Sequence, residues 1–357
     1  MFDRLRVRGV GAGGRWRRGA LAAAMVAGVL TPVLSSPAGA VGSNDDLADA
    51  IAMTGNSGVL VSQDVDAATM EPGEAHGNGA GQQSVWYQFA APGTGQLRVW
   101  TSGNQFDTIL SAYTGNSISS LVAVAENDDD YLPFGTRSEV FFPVRLGTNY
   151  KLALSSFSSA ASGATESDLH WEFMPTACGI TIPNPFIDVA AGTWYHDPVV
   201  WLFQQNITQG TSQGVFSPTV IVTRQQMAVF LHTMFGSPPP VAPHSFPGIK
   251  PWANDAVSWL VQRQITSGTS PGQFSPSAPV TRGQMAIFMW RTVGSPAPGM
   301  THSFVDVSKN PTNILGNAVS WMIRENNTAG TTPTSYGPSG KVTRAQMAAF
   351  LNKWACP

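Results

Sequence analysis

The chain has 357 residues, 43% of them hydrophobic and 12% charged, with 20 basic against 22 acidic side chains. That near balance excludes a basic nucleic-acid binder. Beyond the first 40 residues, no stretch offers the ~18 uninterrupted apolar residues of a membrane span.

Residues 1–40 read as an export signal. Arg4, Arg6, Arg8, Arg15, Arg17 and Arg18 form a basic start, 20–30 is a short apolar run, and Ala38-Gly39-Ala40 is a small-residue cleavage site. Ordinary export is the reading, with Arg17-Arg18 as a twin-arginine signal the alternative. Without this segment the chain keeps 14 basic and 21 acidic residues, unevenly divided. Residues 41–176 carry 4 basic and 16 acidic side chains, and 177–357 carry 10 and 5. Such a split predicts two domains with different partners, the basic half suiting an anionic one.

In the acidic half, short apolar-alternating runs at 84–89, 96–101, 108–113, 121–125, 138–142, 150–154 and 169–173 are separated by Gly, Asn, Asp and Pro. Regular short strands between turns predict an antiparallel β-sandwich over 41–176. Two acidic clusters, Asn44-Asp45-Asp46 and Asn127-Asp128-Asp129-Asp130, offer hard oxygen ligands. Asp45, Asp46, Asp128 and Asp129 are candidate Ca²⁺ ligands, with solvated turns as the alternative. Trp86 and Trp100 are expected in the core.

Six segments in this half recur in a known order: Asn44-Asp45-Asp46, Ser84-Val85-Trp86-Tyr87, Phe106-Asp107-Thr108-Ile109-Leu110, Tyr113-Thr114-Gly115, Asn127-Asp128-Asp129 and Gly147-Thr148-Asn149-Tyr150. In this order they resemble the bacterial pre-peptidase C-terminal domain. The resemblance implies a non-catalytic β-sandwich of the kind appended to secreted peptidases. It does not say what the domain binds, and its ligand is unknown.

The basic half contains one unit three times. Val222-Thr223-Arg224-Gln225-Gln226-Met227-Ala228 recurs as Val280-Thr281-Arg282-Gly283-Gln284-Met285-Ala286 and as Val342-Thr343-Arg344-Ala345-Gln346-Met347-Ala348. Trp201, Trp259 and Trp321 each precede the arginine by 23 residues. Each unit predicts helix, loop, helix, in segments 177–236, 237–297 and 298–357. The first helix of the first unit is expected to start at Asp197 (N-cap) and Pro198. Gly210, Gly268 and Gly330 are expected to stop the first helices. Thr223, Thr281 and Thr343, each followed three residues later by Gln, predict capping boxes that open the second helices. Met227, Phe230 and Leu231, with their counterparts, mark one buried face.

Arg224, Arg282 and Arg344 occupy the first position of these helices, where a cation is disfavoured by up to ~1 kcal/mol. A helix N-terminus attracts anions through free N–H groups, and a guanidinium adds a fork for carboxylate or phosphate. The alternative is a salt bridge inside each repeat, to Asp188 or Asp306; repeat two has Gly248 there.

Together these motifs resemble the S-layer homology (SLH) repeat. The resemblance implies a pseudo-threefold, all-α assembly whose grooves bind an anionic secondary cell-wall polysaccharide. It assigns that contact to Arg224, Arg282 and Arg344, with Thr223, Thr281, Thr343, Gly210, Gly268 and Gly330 around them. The family's Thr-Arg-Ala-Glu signature ends in Gln here in all three repeats. Repeat three departs furthest, with Asn327 where the others have Ile and Tyr336-Gly337 for Phe-Ser.

Cys178 and Cys356 bracket the basic half, and export favours a disulfide between them over two free thiols. Metal-protease, nucleophile-elbow and phosphate-loop motifs are missing. The expectation is therefore a non-catalytic surface protein held to the cell wall by its repeats. An accessory subunit that localises a separate hydrolase, and a released binding protein, are the alternatives.

Overall fold

The computed structural model describes residues 33–34, 43–65, 68–129, 136–157 and 166–356. Apart from Val33–Leu34, the signal segment lies outside the described residues. So do its cleavage site and Asp130.

Among the described residues, ten strands build the first half. They are β1 (Val33–Leu34), β2 (Ile51–Ala52), β3 (Ser57–Asp64), β4 (Ser84–Ala90), β5 (Gly95–Ser102), β6 (Thr108–Thr114), β7 (Val122–Asn127), β8 (Glu139–Val144), β9 (Asn149–Ser156) and β10 (Glu166–Pro175). They form two five-stranded sheets, ordered β1-β3-β10-β5-β8 and β2-β4-β9-β6-β7. The long pairings are antiparallel, and the short β1–β3 and β2–β4 pairings at the sheet ends are parallel. All seven expected strands are present. β1, β2 and β3 are additions, and Gly58 of β3 leaves room for a large neighbour: a Cβ there would sit 2.2 Å from the Trp171 ring.

Inward residues of both sheets make the core, with Tyr87, Phe89, Leu97 and Phe142 at most 1% exposed. Trp86 is fully buried, as expected, in a smaller cluster with Leu47 and Tyr113. Trp100 is not core. On β5 the inward positions are Leu97, Val99 and Thr101, so Trp100 faces outward. There it stacks on His170, with centroids 5.0 Å apart, and Arg98 lies 4.5 Å over its ring.

Six helices build the second half: α1 (His196–Gln204), α2 (Arg224–Met234), α3 (Asn254–Gln262), α4 (Arg282–Thr292), α5 (Ile314–Arg324) and α6 (Arg344–Ala355). The capping boxes form. Thr223, Thr281 and Thr343 N–H donate to the Gln226, Gln284 and Gln346 carboxamides at 3.0, 3.2 and 3.0 Å. Two expectations need correction. α1 begins one residue before Asp197, which falls in its first turn while Tyr195 is the N-cap. Gly210, Gly268 and Gly330 do not cap the first helices, which end six residues earlier at Gln204, Gln262 and Arg324. The left-handed residues after those helices are Asn206, Gln264 and Asn326. The glycines also lie at positive φ, where a Cβ would come within 2.4 Å of Val215 O, 2.4 Å of Gln273 O and 2.5 Å of Phe304. Close backbone approach inside the loop fixes them as glycine.

Each second helix packs on the first helix of the next repeat: α2 on α3, α4 on α5, and α6 back on α1. Val280 N donates to Val222 O, Val342 N to Val280 O and Val222 N to Val342 O, each at 2.9 Å. Three equivalent residues bonded head to tail in a ring put a pseudo-threefold axis through them. The Cys178–Cys356 disulfide joins the start of repeat one to the end of repeat three.

The sandwich packs on the ends of the second helices. Phe141 meets Phe235 edge-on at 4.5 Å. Gln96 donates to Met234 O at 3.2 Å, and Glu126 N to Val293 O at 3.1 Å. Glu139, almost fully buried, takes Arg98 at 2.7 Å and Arg263 at 3.0 Å. Burial alone would raise its carboxyl. The charges of Arg263 and Arg98 overcome that and hold it below the usual range.

Candidate functional site

The three arginines form a second ring around the axis. Arg224 Nε donates to Phe274 O at 2.8 Å, Arg282 Nε to Tyr336 O at 2.9 Å and Arg344 Nε to Phe216 O at 2.6 Å. Each guanidinium lies over two rings of the following repeat. Arg224 covers Phe274 and Phe288, Arg282 covers Tyr336 and Phe350, and Arg344 covers Phe216 and Phe230, at 4.5–5.5 Å. Exposure is only 3, 8 and 4%. Stacking on aromatic faces stabilises a planar cation that has lost water.

The sequence reading of open helix N-termini therefore needs correction. The first N–H groups of each second helix are already used. Arg224 and Gln225 donate to Ala278 O and Pro276 O, Arg282 and Gly283 to Gly340 O and Pro338 O, and Arg344 and Ala345 to Val220 O and Pro218 O. These bonds cross between repeats and leave no anion cradle at the helix ends. An internal salt bridge is not what forms either. Asp188 accepts from Phe216 N and Ser217 N at 2.8 and 2.7 Å, and Asp306 from Tyr336 N and Gly337 N, both at 2.8 Å. Both carboxylates brace the loop whose aromatic carbonyl receives an arginine.

What the arginines still offer is their Nη2 atoms. Arg282 Nη2 and Arg344 Nη2 are buried without a hydrogen-bond partner, while Arg224 Nη2 reaches Thr266 Oγ1 at 3.4 Å. Burial lowers the Arg344 guanidinium to about 10, against the pull of Asp188. Burial moves Arg224 in the same direction. Arg344 stays charged at neutral pH, and an anion would relieve the cost of burying that charge.

Thr281 and Thr343 Oγ1 accept the Gln284 and Gln346 N–H as helix caps, Thr223 Oγ1 is buried without a hydrogen-bond partner, and the three glycines shape the loops beside the arginines. Thr208, Thr266 and Thr328 accept at 3.1 Å from the N–H of Gly210, Gly268 and Gly330. One groove is a distinct cavity of about 210 Å³, lined by Arg282, Asn327, Gly330, Gln346, Lys353 and Trp194 among others. Trp194 comes from repeat one and is 63% exposed. Sequence reasoning missed it, because only the closed ring brings repeat one to the junction of repeats two and three.

The acidic clusters separate in character. Asp45 accepts from Thr69 N and Oγ1 at 2.6 and 3.0 Å, and Asn44 donates to Trp86 O at 2.9 Å. Both are taken up in holding a turn, and Asp46 stands at the N-cap position of the short helical turn that follows, with no side-chain cap bond. Asp128 and Asp129 meet a third carboxylate, Asp107, with one oxygen of each within 4.8 Å of the others. Burial, then the neighbouring Asp107 and Asp129 charges, raise Asp128 to about 6. Three hard oxygens suit Ca²⁺, with carbonyls and water needed to complete its six to eight ligands. Asp107 lies about 20 residues from the acidic run, and its part in the cluster follows only from the β6–β7 pairing.

Residues 185–228, 246–286 and 303–348 match the family of the S-layer homology domain. The helical half is three SLH repeats. An endoglucanase of Bacillus sp. (strain KSM-635) is 34% identical over 102 residues, 29% of this chain and 11% of that protein. The surface-layer 125 kDa protein of Lysinibacillus sphaericus is 29% identical over 116 residues, 30% of this chain and 10% of that one. A cell surface protein of Thermoanaerobacter kivui is 27% identical over 129 residues, 34% and 17% of the two chains. The chain thus spans less than a fifth of each relative's length. Among solved structures, the pre-peptidase C-terminal domain of collagenase from Bacillus anthracis covers 35% of this chain and 94% of its own. Its identity is 10% and its TM-score 0.23. The K1 cleaved adhesin domain of Lys-gingipain from Porphyromonas gingivalis W83 matches at 17% identity and a TM-score of 0.21. The sandwich stands on its own strand register rather than on these likenesses. Among the described residues no helix is long and apolar enough to cross a membrane.

Proposed function

We propose that this is an exported, non-catalytic protein that the SLH repeats hold to the cell wall by gripping an anionic polysaccharide. Carrying three such repeats, the chain works at the cell wall or cell surface. One observation supports the anionic ligand most. Buried guanidinium ends, Arg282 Nη2 and Arg344 Nη2, stand unpartnered at the inter-repeat junctions. A desolvated cation with an unused donor is stabilised by a charged acceptor more than by water.

The sandwich packs on the C-terminal ends of the second helices, while the arginines stand at their N-termini. That arrangement turns the sandwich away from the wall-gripping pole and suits the display of a binding domain whose ligand is unknown. An accessory subunit localising a secreted hydrolase would use the same display.

Replacing all three arginines by Ala is not a clean test, because each also bridges two repeats. A better one leaves the protein intact. The full-length chain should sediment with isolated walls, and walls chemically stripped of acidic polysaccharide should leave it in the supernatant. Equal sedimentation with both, or with neither, would remove the proposal. Added salt should weaken the association.

A further inference from the structure

The groove between repeats two and three has a counterpart between repeats one and two, and the two differ in charge. Thr328, Ala329 and Lys353 line the first. Their equivalents Thr266, Ser267 and Arg291 line a cleft of about 780 Å³, and Arg224 of repeat one reaches Thr266 Oγ1 at 3.4 Å. The facing wall of this cleft belongs to the sandwich. It is built by Gly77, by Glu126 and Asn127 at the end of β7, and by Asp128 and Asp129 after it. That wall is fixed in place. Glu126 N donates to Val293 O at 3.1 Å, and a Cβ on Gly294 would collide with Glu126 O. Gly294, at φ +84°, lets the two backbones touch just beyond α4. The sandwich lies at the far ends of the second helices from the arginines, but here its acidic edge reaches back to a groove between repeats.

The cations of this cleft are already engaged. Arg263 is held by Glu139 at 3.0 Å, and Arg291 Nη1 donates to Ile265 O at 3.3 Å. Against them stand Glu126, Asp128 and Asp129, with Asp107 clustered beside the two aspartates. The groove between repeats two and three is lined by Arg282 and Lys353, and no carboxylate is among its lining residues. We infer that the acidic edge of the sandwich closes the junction of repeats one and two to anionic polymer, so that the grip falls to the other two junctions. Glu126, Asp128 and Asp129 are then specificity-determining residues, setting how many stretches of polymer one chain holds. The inference rests on the wall-polysaccharide reading and goes beyond it, since it makes the sandwich part of the selection. Room is not what excludes the polymer, because this cleft is the larger of the two. Charge is what excludes it. A narrow cleft focuses the field of its walls, and like charges set opposite one another suppress a partner.

The test counts sites. Acidic oligosaccharide released from isolated walls, separated by size, is titrated into the full-length protein by calorimetry. Asp128→Asn with Asp129→Asn removes charge from the cleft wall and relieves the repulsion that Asp107 and Asp129 exert on Asp128. This double variant should bind one more oligosaccharide per chain than the wild type. Glu166→Gln with Glu172→Gln removes as much charge from exposed positions on β10, away from the cleft, and should leave the number unchanged. If the aspartate variant and the wild type bind the same number, the edge closes nothing and the inference is overturned, while anchoring stands. A site gained equally by the β10 variant would overturn it too, since net charge rather than the edge would then govern binding. If neither the wild type nor any variant binds, the wall-polysaccharide reading has failed and takes this inference with it. Should the double variant not fold, Asp129→Asn alone decides: it should add a weaker site, and an unchanged titration would overturn the inference.

Discussion

The helical half makes many of its structural contacts three times, and the sandwich makes its own once. That difference changes what a departure means. Where the three repeats agree, as at the Val222, Val280 and Val342 ring, the shared residue is doing the same structural task at each junction. Where one repeat differs, the other two are internal controls measured in the same molecule. Gly248 replaces the loop-bracing Asp188 and Asp306, and Asn327 replaces two isoleucines. The sandwich offers no such control. A lone feature there, such as the Arg98–Trp100–His170 stack, can be described but not compared. The two halves also answer each other's charge in part, since Glu139 of the acidic half is held by Arg263 of the basic half.

The largest expected effect falls on the closed ring. Its three repeats are covalently fastened only by Cys178–Cys356, 178 residues apart. Closing so long a loop removes unfolded-chain entropy worth about 5 kcal/mol. Replacing both cysteines by Ser should lower the urea midpoint of the helical signal by a corresponding amount. An unchanged midpoint would mean that the ring closes by packing alone. A second, smaller effect tests whether the halves are coupled. Glu139→Gln leaves Arg263, whose side chain is 7% exposed, beside a neutral side chain, and breaking a buried pair costs about 3 kcal/mol. It should split one unfolding transition into two, sandwich and repeats. A single transition at the wild-type midpoint would show that Phe141 and Gln96 hold the joint without the charges.

Much of this was legible in the sequence. The Thr-x-x-Gln boxes, the Met-Phe-Leu faces, the seven strands and the disulfide all follow from local pattern or compartment, and all are present. What was not legible depends on which repeat touches which. Local chemistry assigns Arg224 to its own helix end. Only ring closure sends it to Phe274 of the next repeat, and sends Arg344 back to Phe216, 128 residues earlier. The same closure fills the helix N-termini with neighbouring carbonyls and brings Trp194 to a groove formed by the other two repeats. Trp100 was misplaced for a simpler reason. An aromatic at an outward strand position can stack on its cross-strand neighbour, here His170, instead of entering the core.

The smallest expected effect is also the sharpest use of the repeats as their own controls. Asp306 lies at the surface. What burial it has works against its charge, but hydrogen bonds from Ser335 Oγ and from the Tyr336 and Gly337 amides prevail and hold its carboxyl at about 2. A carboxyl depressed in the folded state contributes stability above its unfolded value, near 4, and loses it as pH falls towards 2. Repeat two has Gly248 at this position and so lacks that carboxylate. Amide hydrogen exchange between pH 4 and pH 2, corrected for intrinsic rates, should therefore speed up at Tyr336 and Gly337. At Phe274 and Ser275 it should stay level. If both loops loosen together, the Asp306 bonds do not set the local stability, and the acid response belongs to the ring as a whole. If neither changes, the loop is held by the Arg282 bond to Tyr336 O, which the three junctions share and which acid does not titrate.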